Sequence, residues 1–325
     1  MVSRRRLGLF VLASFAFVGA GCALVLGIED GTPRGAPLDA GADVLADAAP
    51  DVEAGPPPRC DPTKAFGAPV LLAELTSAAT DSNPKLTEDE LELAFQSTRD
   101  SGVGGDDLYL AVRSVPTGPF GSVVPISALN LPGYDADPAF SRDALTLYFA
   151  SDRPGAGDAG GLYDLWAATR ASRSAPFASP APLAGANSAK NEQFPSVAGN
   201  AIYFTSARGP SYDIYRGDLG PTGVSSVTPV AAVNTVLTET SPAVSADETV
   251  LFFASNRDDA GNDFDIWVSV RASASVNWGA PVLVPEVSSP QIDVPSWISP
   301  DLCRLYLTSY RTAGVPKPYV ATRTP

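Results

Sequence analysis

The sequence has 325 residues, a formal net charge of −14 and no histidine. The negative charge argues against nucleic-acid binding, which needs a basic surface, and against peripheral binding to anionic lipid. The lack of histidine excludes histidine-based catalytic triads and histidine-ligated zinc. The sequence also contains no phosphate-binding glycine loop and no Cys-x-x-Cys pair.

The first predicted element is an export signal. Arg4–Arg6 are basic, Leu7–Val18 are mostly apolar, and Gly19–Cys22 are small residues ending in cysteine. This arrangement resembles a bacterial lipoprotein signal, although Gly19 stands where leucine is usual. We therefore expect a signal peptide at residues 1–21 and lipidation of Cys22. The alternative is ordinary cleavage near Ala20 or Gly21, without lipidation, or an uncleaved anchor.

The lipid anchor and a disordered tether are together expected at residues 22–65. Glu29–Pro58 is dominated by Asp, Ala, Gly and Pro. Such a composition has too little apolar bulk to offset chain entropy, so the segment is expected to be disordered.

The folded region is predicted at residues 66–325, where a short phrase returns five times. Each copy is a hydrophobic strand that ends in Ser-x-Arg, and the successive arginines are 54, 55, 49 and 54 residues apart. This spacing indicates one supersecondary unit per repeat. The copies are Leu93–Arg99, Leu147–Arg153, Ile202–Arg208, Leu251–Arg257 and Leu305–Arg311.

Each repeat contains further strand-like segments with alternating polar and apolar residues. An acid followed by proline opens the first segment, at Asp81, Asp135, Glu192, Glu239 and Asp293. A third segment follows the arginine and opens with Asp107, Asp164, Asp213, Asp265 or Lys317. The fourth segment carries an aromatic residue, a small residue and proline, as in Trp278–Val284, and one extra copy, Phe66–Leu72, precedes the first complete repeat.

The extra copy at Phe66–Leu72 predicts how the fold closes. Repeat five ends after its third strand, so the N-terminal copy can supply the missing fourth strand. Four strands in each of five units predict an all-β, five-bladed β-propeller with four-stranded antiparallel blades, whose N-terminal strand completes the last blade. Closure of the ring removes sheet edges that would otherwise invite aggregation.

The repeat resembles the TolB-like, WD-related β-propeller repeat over residues 66–325. The resemblance implies a scaffold found in envelope proteins that bind proteins or glycans. We expect a non-enzymatic, lipid-anchored monomer with a protein or glycan partner in the bacterial envelope. It would contact the membrane only through the N-terminal lipid and would need no cofactor, except a cation such as calcium. The alternative is a glycan-active hydrolase similar to five-bladed arabinanases, with two carboxylates in one pocket that break the repeat symmetry.

The five repeated acids are the candidate cation site. Because the first strand of a blade lines the central channel, ring closure is expected to bring these carboxylates toward one mouth, where a cation could offset their repulsion. The structural alternative is that each acid caps its own turn. The residues concerned are Asp81, Asp135, Glu192, Glu239 and Asp293.

The remaining repeated residues have structural interpretations. Cys60 and Cys303 form an even pair in an exported chain and are expected to be disulfide-bonded at one end of the last blade; two free thiols are the alternative. The Ser-x-Arg arginines are expected to pair with the acids that open the third strands. An aromatic residue shared by the third strands is expected in the core, at Tyr109, Trp166, Tyr215, Trp267 and Tyr319.

Overall fold

The computed structural model describes residues 58–155, 162–258 and 263–325. The predicted signal peptide, Cys22 and most of the predicted tether lie outside the described residues. The described chain belongs to a compact unit, Ala54–Pro325. It folds into five four-stranded antiparallel sheets, which confirms the predicted five-bladed propeller. Within the described part of the chain, the helical structure consists of a single 3₁₀ turn, Ala73–Leu75.

The strands follow the repeats in chain order. Strand β1 (Val70–Leu71) precedes the first complete blade. Blades 1 and 2 contain β2 (Asp81–Leu86), β3 (Glu92–Ser97), β4 (Asp107–Val112), β5 (Val124–Pro125), β6 (Asp135–Phe140), β7 (Thr146–Ser151), β8 (Asp164–Thr169) and β9 (Ala181–Pro182). Blades 3 and 4 contain β10 (Glu192–Ala198), β11 (Ala201–Ser206), β12 (Asp213–Gly220), β13 (Gly223–Pro229), β14 (Glu239–Val244), β15 (Val250–Ser255), β16 (Asp265–Val270) and β17 (Val282–Leu283). Blade 5 consists of β18 (Asp293–Ile298), β19 (Arg304–Ser309), β20 (Lys317–Thr322) and β1.

The innermost strand of every blade contains a bulge. In blade 1 the pairing register shifts between Ser82 and Lys85, and Pro84 lies inside this interval. Because proline has no N–H to donate, a bulge is one of the few positions in a sheet that accepts it. The repeated proline therefore marks the point where each first strand bends along the central channel.

The ring is closed through its inner strands and through apolar contacts between blades. Each of β2, β6, β10, β14 and β18 contacts the corresponding strands of both neighbouring blades. Between blades 1 and 2, Leu108 packs in one buried cluster with Leu147 and Phe149. Between blades 5 and 1, Tyr306 packs with Phe95 in another. The core thus lies between adjacent sheets, and each blade depends on its neighbours for burial of its faces.

The N-terminal segment completes blade 5, as predicted. Val70 pairs with Val320 and Leu71 with Tyr319. One backbone hydrogen bond flanks this short ladder on each side. The Gly67 N–H donates to the Thr322 carbonyl over 2.7 Å, and the Leu72 N–H donates to the Pro318 carbonyl over 3.0 Å. A Cys60–Cys303 disulfide joins the same segment to the turn before β19, with the two Cα atoms 5.2 Å apart. The strand and the disulfide therefore fix the two ends of the propeller to one another.

Candidate functional site: the central funnel

The five repeated acids form the same buried hub in every blade. In blade 1, Arg99 Nη2 lies 2.5 Å from Asp81 Oδ1, and the Ser97 hydroxyl donates to the same oxygen over 2.7 Å. The backbone N–H four residues before the acid, that of Ser77, also donates to the carboxylate, over 2.7 Å. In the other blades the acid–arginine pairs are Asp135–Arg153, Glu192–Arg208, Glu239–Arg257 and Asp293–Arg311.

This hub corrects the expectation that the acids face one channel mouth. Each carboxylate is almost completely buried, binds the arginine of its own blade and caps its own turn. In the described residues, no three Asp, Glu or Cys side chains are grouped so that they could hold a metal ion. The structural alternative, in which each acid caps its own turn, is therefore present in all five blades. A cation such as calcium at these acids stays a prediction, and the residues concerned are Asp81, Asp135, Glu192, Glu239 and Asp293.

The hub also corrects the predicted partner of the Ser-x-Arg arginines. Proximity across the hairpin favoured the acid that opens the third strand, but Arg99 reaches back to Asp81 on the first strand. Asp107, the expected partner, instead accepts the backbone N–H groups of Val103 and Gly104 at 2.9 and 3.1 Å. The arginine can bridge the strands because Ser97 Oγ accepts its Nε–H and orients the guanidinium.

The shared aromatic residue of the third strands lies in the core, as predicted. In each blade the hub arginine lies over this ring, with its guanidinium carbon 4.9 to 5.3 Å from the ring centroid. Stacking on the negative face of the ring partly replaces the hydration that burial removes from the cation. The five rings are Tyr109, Trp166, Tyr215, Trp267 and Tyr319.

A cavity of about 410 Å³ occupies the funnel at the end of the ring where the inner strands begin. Its aromatic lining comes from four blades, and its polar lining is unevenly distributed around the ring. The aromatic residues are Tyr163, Phe194, Tyr212, Phe264 and Tyr310. The amides and carboxylic acids are Asn83, Gln96, Asp106, Asp137 and Gln193.

One side of the funnel is a connected hydrogen-bond network between blades 1 and 2. Asn83 Nδ2 donates to Asp137 Oδ1 over 2.6 Å and to Gln96 Oε1 over 3.0 Å. Gln96 Oε1 also accepts the Asp137 N–H over 2.8 Å, and the Gln96 side chain hydrogen-bonds Asp106. From blade 3, the Phe194 N–H donates to Asp137 Oδ2 over 3.2 Å. These contacts hold the polar groups in fixed positions around the cavity, which is the property required for selective binding.

The backbone turns sharply at the funnel wall. Asn83, Asp137, Phe194 and Ser241 occupy equivalent positions in four blades and have φ angles of 53°, 54°, 53° and 51°. Asn and Asp tolerate this left-handed conformation, whereas it is strained for a bulky residue such as phenylalanine. At these positions consecutive residues of the inner strand, such as Ala136 and Asp137, line the cavity. Strain of this kind is concentrated at functional sites.

Two buried ionisable groups have strongly shifted pKa values: Asp137 lines the cavity, and Lys85 lies beside it on β2. Burial raises the pKa of Asp137 from 3.8 to about 7, against the opposing effect of the Phe194 N–H. Burial lowers the pKa of Lys85 from 10.5 to about 7, and the charge of Asp137 partly offsets this fall. Burial, together with the neighbouring charge of Asp107, also raises the pKa of Asp106. The wall therefore carries one carboxyl group, that of Asp137, that can change its protonation state near neutral pH.

Asp137→Asn is expected to flatten the pH dependence of stability in the acidic range. A carboxyl whose pKa rises from 3.8 to about 7 on folding holds its proton more tightly in the folded chain. Its contribution to stability is complete below about pH 4 and is lost as the pH rises through 7. Thermal melts of both proteins from pH 4 to pH 7 should show a smaller fall for the variant. Glu286→Gln, on the exposed outer edge, is the control, and equal slopes for Asp137→Asn and the parent chain would contradict the assignment.

The funnel residues were missed by the sequence analysis, which concentrated on positions that all repeats share. Asp137 and Asn83 occupy the third position of the first strand, where other repeats carry Phe194, Ser241 or Pro295. Asp106 precedes the third strand, where other repeats carry an aromatic residue or proline. The signal available in the sequence was that the five repeats carry different residue types at these two positions.

Fold comparison finds solved structures that are similar to most of this chain. It is similar to the GH43_1 enzyme from Xanthomonas citri complexed with xylotriose (TM-score 0.54, 13% identity, covering 79% of this chain and 89% of that chain). It is also similar to the catalytic domain of the Coprinopsis cinerea GH62 alpha-L-arabinofuranosidase (TM-score 0.50, 12% identity, 80% and 96% covered). At these identities the likeness shows the fold alone.

TolB proteins are also among the similar structures. For TolB from Acinetobacter baumannii the TM-score is 0.47 and the identity 19%, over 77% of this chain. The chain spans 56% of the length of that TolB. No protein-family model and no curated protein sequence matches the chain. Among residues 58–155, 162–258 and 263–325, no helix is both long and apolar enough to span a membrane.

Proposed function

We propose that the protein is a glycan-binding propeller of the bacterial envelope and that the central funnel is its binding site. The observation that carries the proposal is the loss of repeat symmetry in the funnel. The acid, serine and arginine of the hub recur in all five blades because they hold each blade together. The funnel-facing positions differ from blade to blade, although a purely structural ring has no need of such variety.

The funnel lining suits a carbohydrate. A cavity of about 410 Å³ falls in the usual range for small-ligand sites, which is about 300–1,000 Å³. The rings of Tyr163, Phe194 and Tyr212 offer flat apolar faces for the C–H groups of a sugar. The side chains of Asp106 and Gln193 offer acceptors and donors for its hydroxyl groups.

A glycan microarray tests the proposed binding activity. We expect the full-length chain to bind a subset of oligosaccharides, and Asp106→Ala and Tyr163→Ala to weaken that binding about tenfold or more, since each removes a direct ligand contact. Asp100→Ala, on the exposed turn after β3, is the matched control and should bind like the parent chain. Equal binding by all four proteins would place the ligand elsewhere, and absence of binding to any glycan would refute the proposal.

Glycoside hydrolysis is the second candidate function. Asp106 and Asp137 both line one cavity, are not repeat equivalents, and have raised pKa values. A carboxyl with a pKa near 7 can serve as general acid at neutral pH while a second carboxylate acts as base or nucleophile. This pair is the asymmetric feature expected of a hydrolase.

One assay distinguishes glycan binding from glycoside hydrolysis. The parent chain, Asp106→Asn and Asp137→Asn are incubated with the oligosaccharides that bind on the array, and reducing ends are measured. Bound but uncleaved oligosaccharide supports a binding protein. Release of product by the parent chain, lost in both variants while binding is retained, supports a hydrolase.

The envelope location is proposed from the N-terminal sequence. Arg4–Arg6, the apolar run and Cys22 resemble a lipoprotein signal, and the acidic tether would hold the propeller away from the headgroups. Cys22→Ala is expected to move the protein from the membrane fraction to the soluble fraction or to block its processing. Intact mass spectrometry of the parent chain should show the acyl groups, and an unmodified Cys22 would contradict lipid anchoring.

A further inference from the structure

An exposed tyrosine lies beside the funnel, at the junction of blades 1 and 2. Tyr134 is 46% exposed, and no other aromatic side chain in the described part of the chain is as exposed as this one. Its ring centroid lies 6.2 Å from that of Tyr163, which lines the funnel cavity. The aromatic lining of the funnel therefore continues outward to the surface at this junction.

The surrounding backbone holds the Tyr134 ring in place. The Tyr134 N–H donates to Asp152 Oδ1 over 2.9 Å, and the Gly105 N–H donates to the Gly133 carbonyl over 2.6 Å. A Cβ atom at Gly105 would lie 2.5 Å from the Tyr134 ring, which is too close for two carbon atoms that are not bonded. The ring therefore rests against blade 1 at a point where glycine alone leaves it room.

Neither the tyrosine nor the glycine is required by the repeat. The residue before the first strand is smaller in the other four blades, where it is Thr80, Asn191, Thr238 or Ile292. The positions equivalent to Gly105 carry larger residues, namely Leu162, Ser211, Asp263 and Val315. The exposed ring and the glycine that makes room for it therefore occur together at one junction. Asp106, which lines the funnel, follows Gly105 directly.

Two aliphatic residues extend the exposed surface around the ring. Val103 and Leu131 are 61% and 47% exposed. The loop and the turn that carry them are packed closely, since a Cβ atom at Gly104 would lie 2.7 Å from the Leu131 carbonyl oxygen. Exposed apolar surface that adjoins a cavity is typical of a ligand-binding groove. A tyrosine ring adds a flat apolar body with a polar hydroxyl at its tip.

We propose that Tyr134 forms a second sugar subsite, so that the protein binds an oligosaccharide whose end lies in the funnel and whose next unit stacks on the Tyr134 ring. The inference rests on the proposed glycan binding and adds a preference for chain length to it. Consecutive sugar units would contact Tyr163 and then Tyr134, because the two rings are neighbours. The ring is already held by its surroundings, so stacking costs little additional ordering of the side chain.

Titration with sugar oligomers, followed by nuclear magnetic resonance so that weak binding is also measured, tests the subsite. The probes are β-1,4-linked oligomers of glucose, xylose and N-acetylglucosamine, from the single sugar to the tetrasaccharide. In at least one series the full-length chain is expected to bind the trisaccharide about tenfold or more tightly than the single sugar. Tyr134→Ala should bind the trisaccharide about as weakly as the single sugar. Tyr134→Phe keeps the ring and should retain the gain.

Gly105→Ala is the second variant, because its Cβ atom displaces the Tyr134 ring without removing it. It should also lower the affinity for the trisaccharide, with a melting temperature close to that of the parent chain. Val236→Ala, which changes a 92% exposed residue in the turn before β14, is the matched control and should bind every length like the parent chain.

The outcomes separate this subsite from the funnel itself. If the parent chain binds the single sugar and the trisaccharide equally, or if Tyr134→Ala keeps the gain, the subsite is overturned and the funnel remains the binding site. Absence of binding in all three series would also overturn the subsite, whereas the glycan microarray tests the funnel independently.

Discussion

Replacing Cys60 and Cys303 by alanine is expected to lower the free energy of unfolding by about 5 kcal/mol if loop-closure entropy sets the effect. The disulfide joins residues 243 positions apart, so almost the whole folded chain lies inside one covalent loop. Its loss frees the N-terminal segment that places β1 against β20. Urea unfolding of the parent and doubly substituted chains, followed by circular dichroism, gives the difference.

Cys22→Ala is the matched control, because it removes the one cysteine of the chain that is not in the disulfide and leaves the Cys60–Cys303 bond intact. We expect no change in the urea midpoint for this variant. A reducing agent should reproduce the loss in the parent chain and have no effect on the double variant. An unchanged midpoint after removal of both cysteines would show that the ring closes without the disulfide.

Asp135→Ala is expected to cost about 3–5 kcal/mol, because it leaves a buried cation without its partner. The side chain of Arg153 is 7% exposed, and that of Asp135 is 1% exposed. Ser151 also donates to Asp135 over 2.7 Å, so the substitution removes the centre of the hub in blade 2. The expected result is a large fall in the urea midpoint, measured as for the disulfide variant.

An ion pair on the surface provides the comparison. Arg142 and Glu88 lie 3.2 Å apart with exposures of 74% and 35%, and such pairs contribute at most about 1 kcal/mol. Glu88→Ala should therefore change the unfolding free energy little. If Asp135→Ala and Glu88→Ala cost the same, the hub would not be the element that holds each blade together.

The architecture was predictable from sequence because the repeat encodes it directly. The five Ser-x-Arg phrases gave the number of blades, and the extra copy at Phe66–Leu72 gave the strand that closes the ring. Every repeat must bury the same strands against its neighbours, so the determinants recur at a fixed spacing and can be compared within one chain.

The ion-pair partners of the repeated arginines were harder to predict from the sequence than the fold. Asp107 is close to Arg99 in sequence, but Asp81 is the residue that the guanidinium binds. The choice depends on Ser97, which orients the arginine toward the first strand, and on the bulge that bends this strand. Three-dimensional packing of this kind cannot be read from residue spacing.

The residues that line the funnel could not be predicted from the sequence for a related reason. Asn83, Asp106 and Asp137 are single residues at positions where the repeats disagree, and a comparison of repeats gives weight to agreement. Their role becomes apparent when ring closure brings blades 1 and 2 together at one cavity. Positions that break a structural repeat, and also face its axis, are therefore the places to look for function in such a chain.

The most direct test of the funnel as a glycan site is a crystal structure of the protein with the oligosaccharide that the array selects. We expect electron density for the sugar inside the funnel, with hydroxyl groups within hydrogen-bond distance of Asp106 or Gln193 and a ring face against Tyr163. Density for the same oligosaccharide on the outer surface of the ring, with an empty funnel, would contradict it.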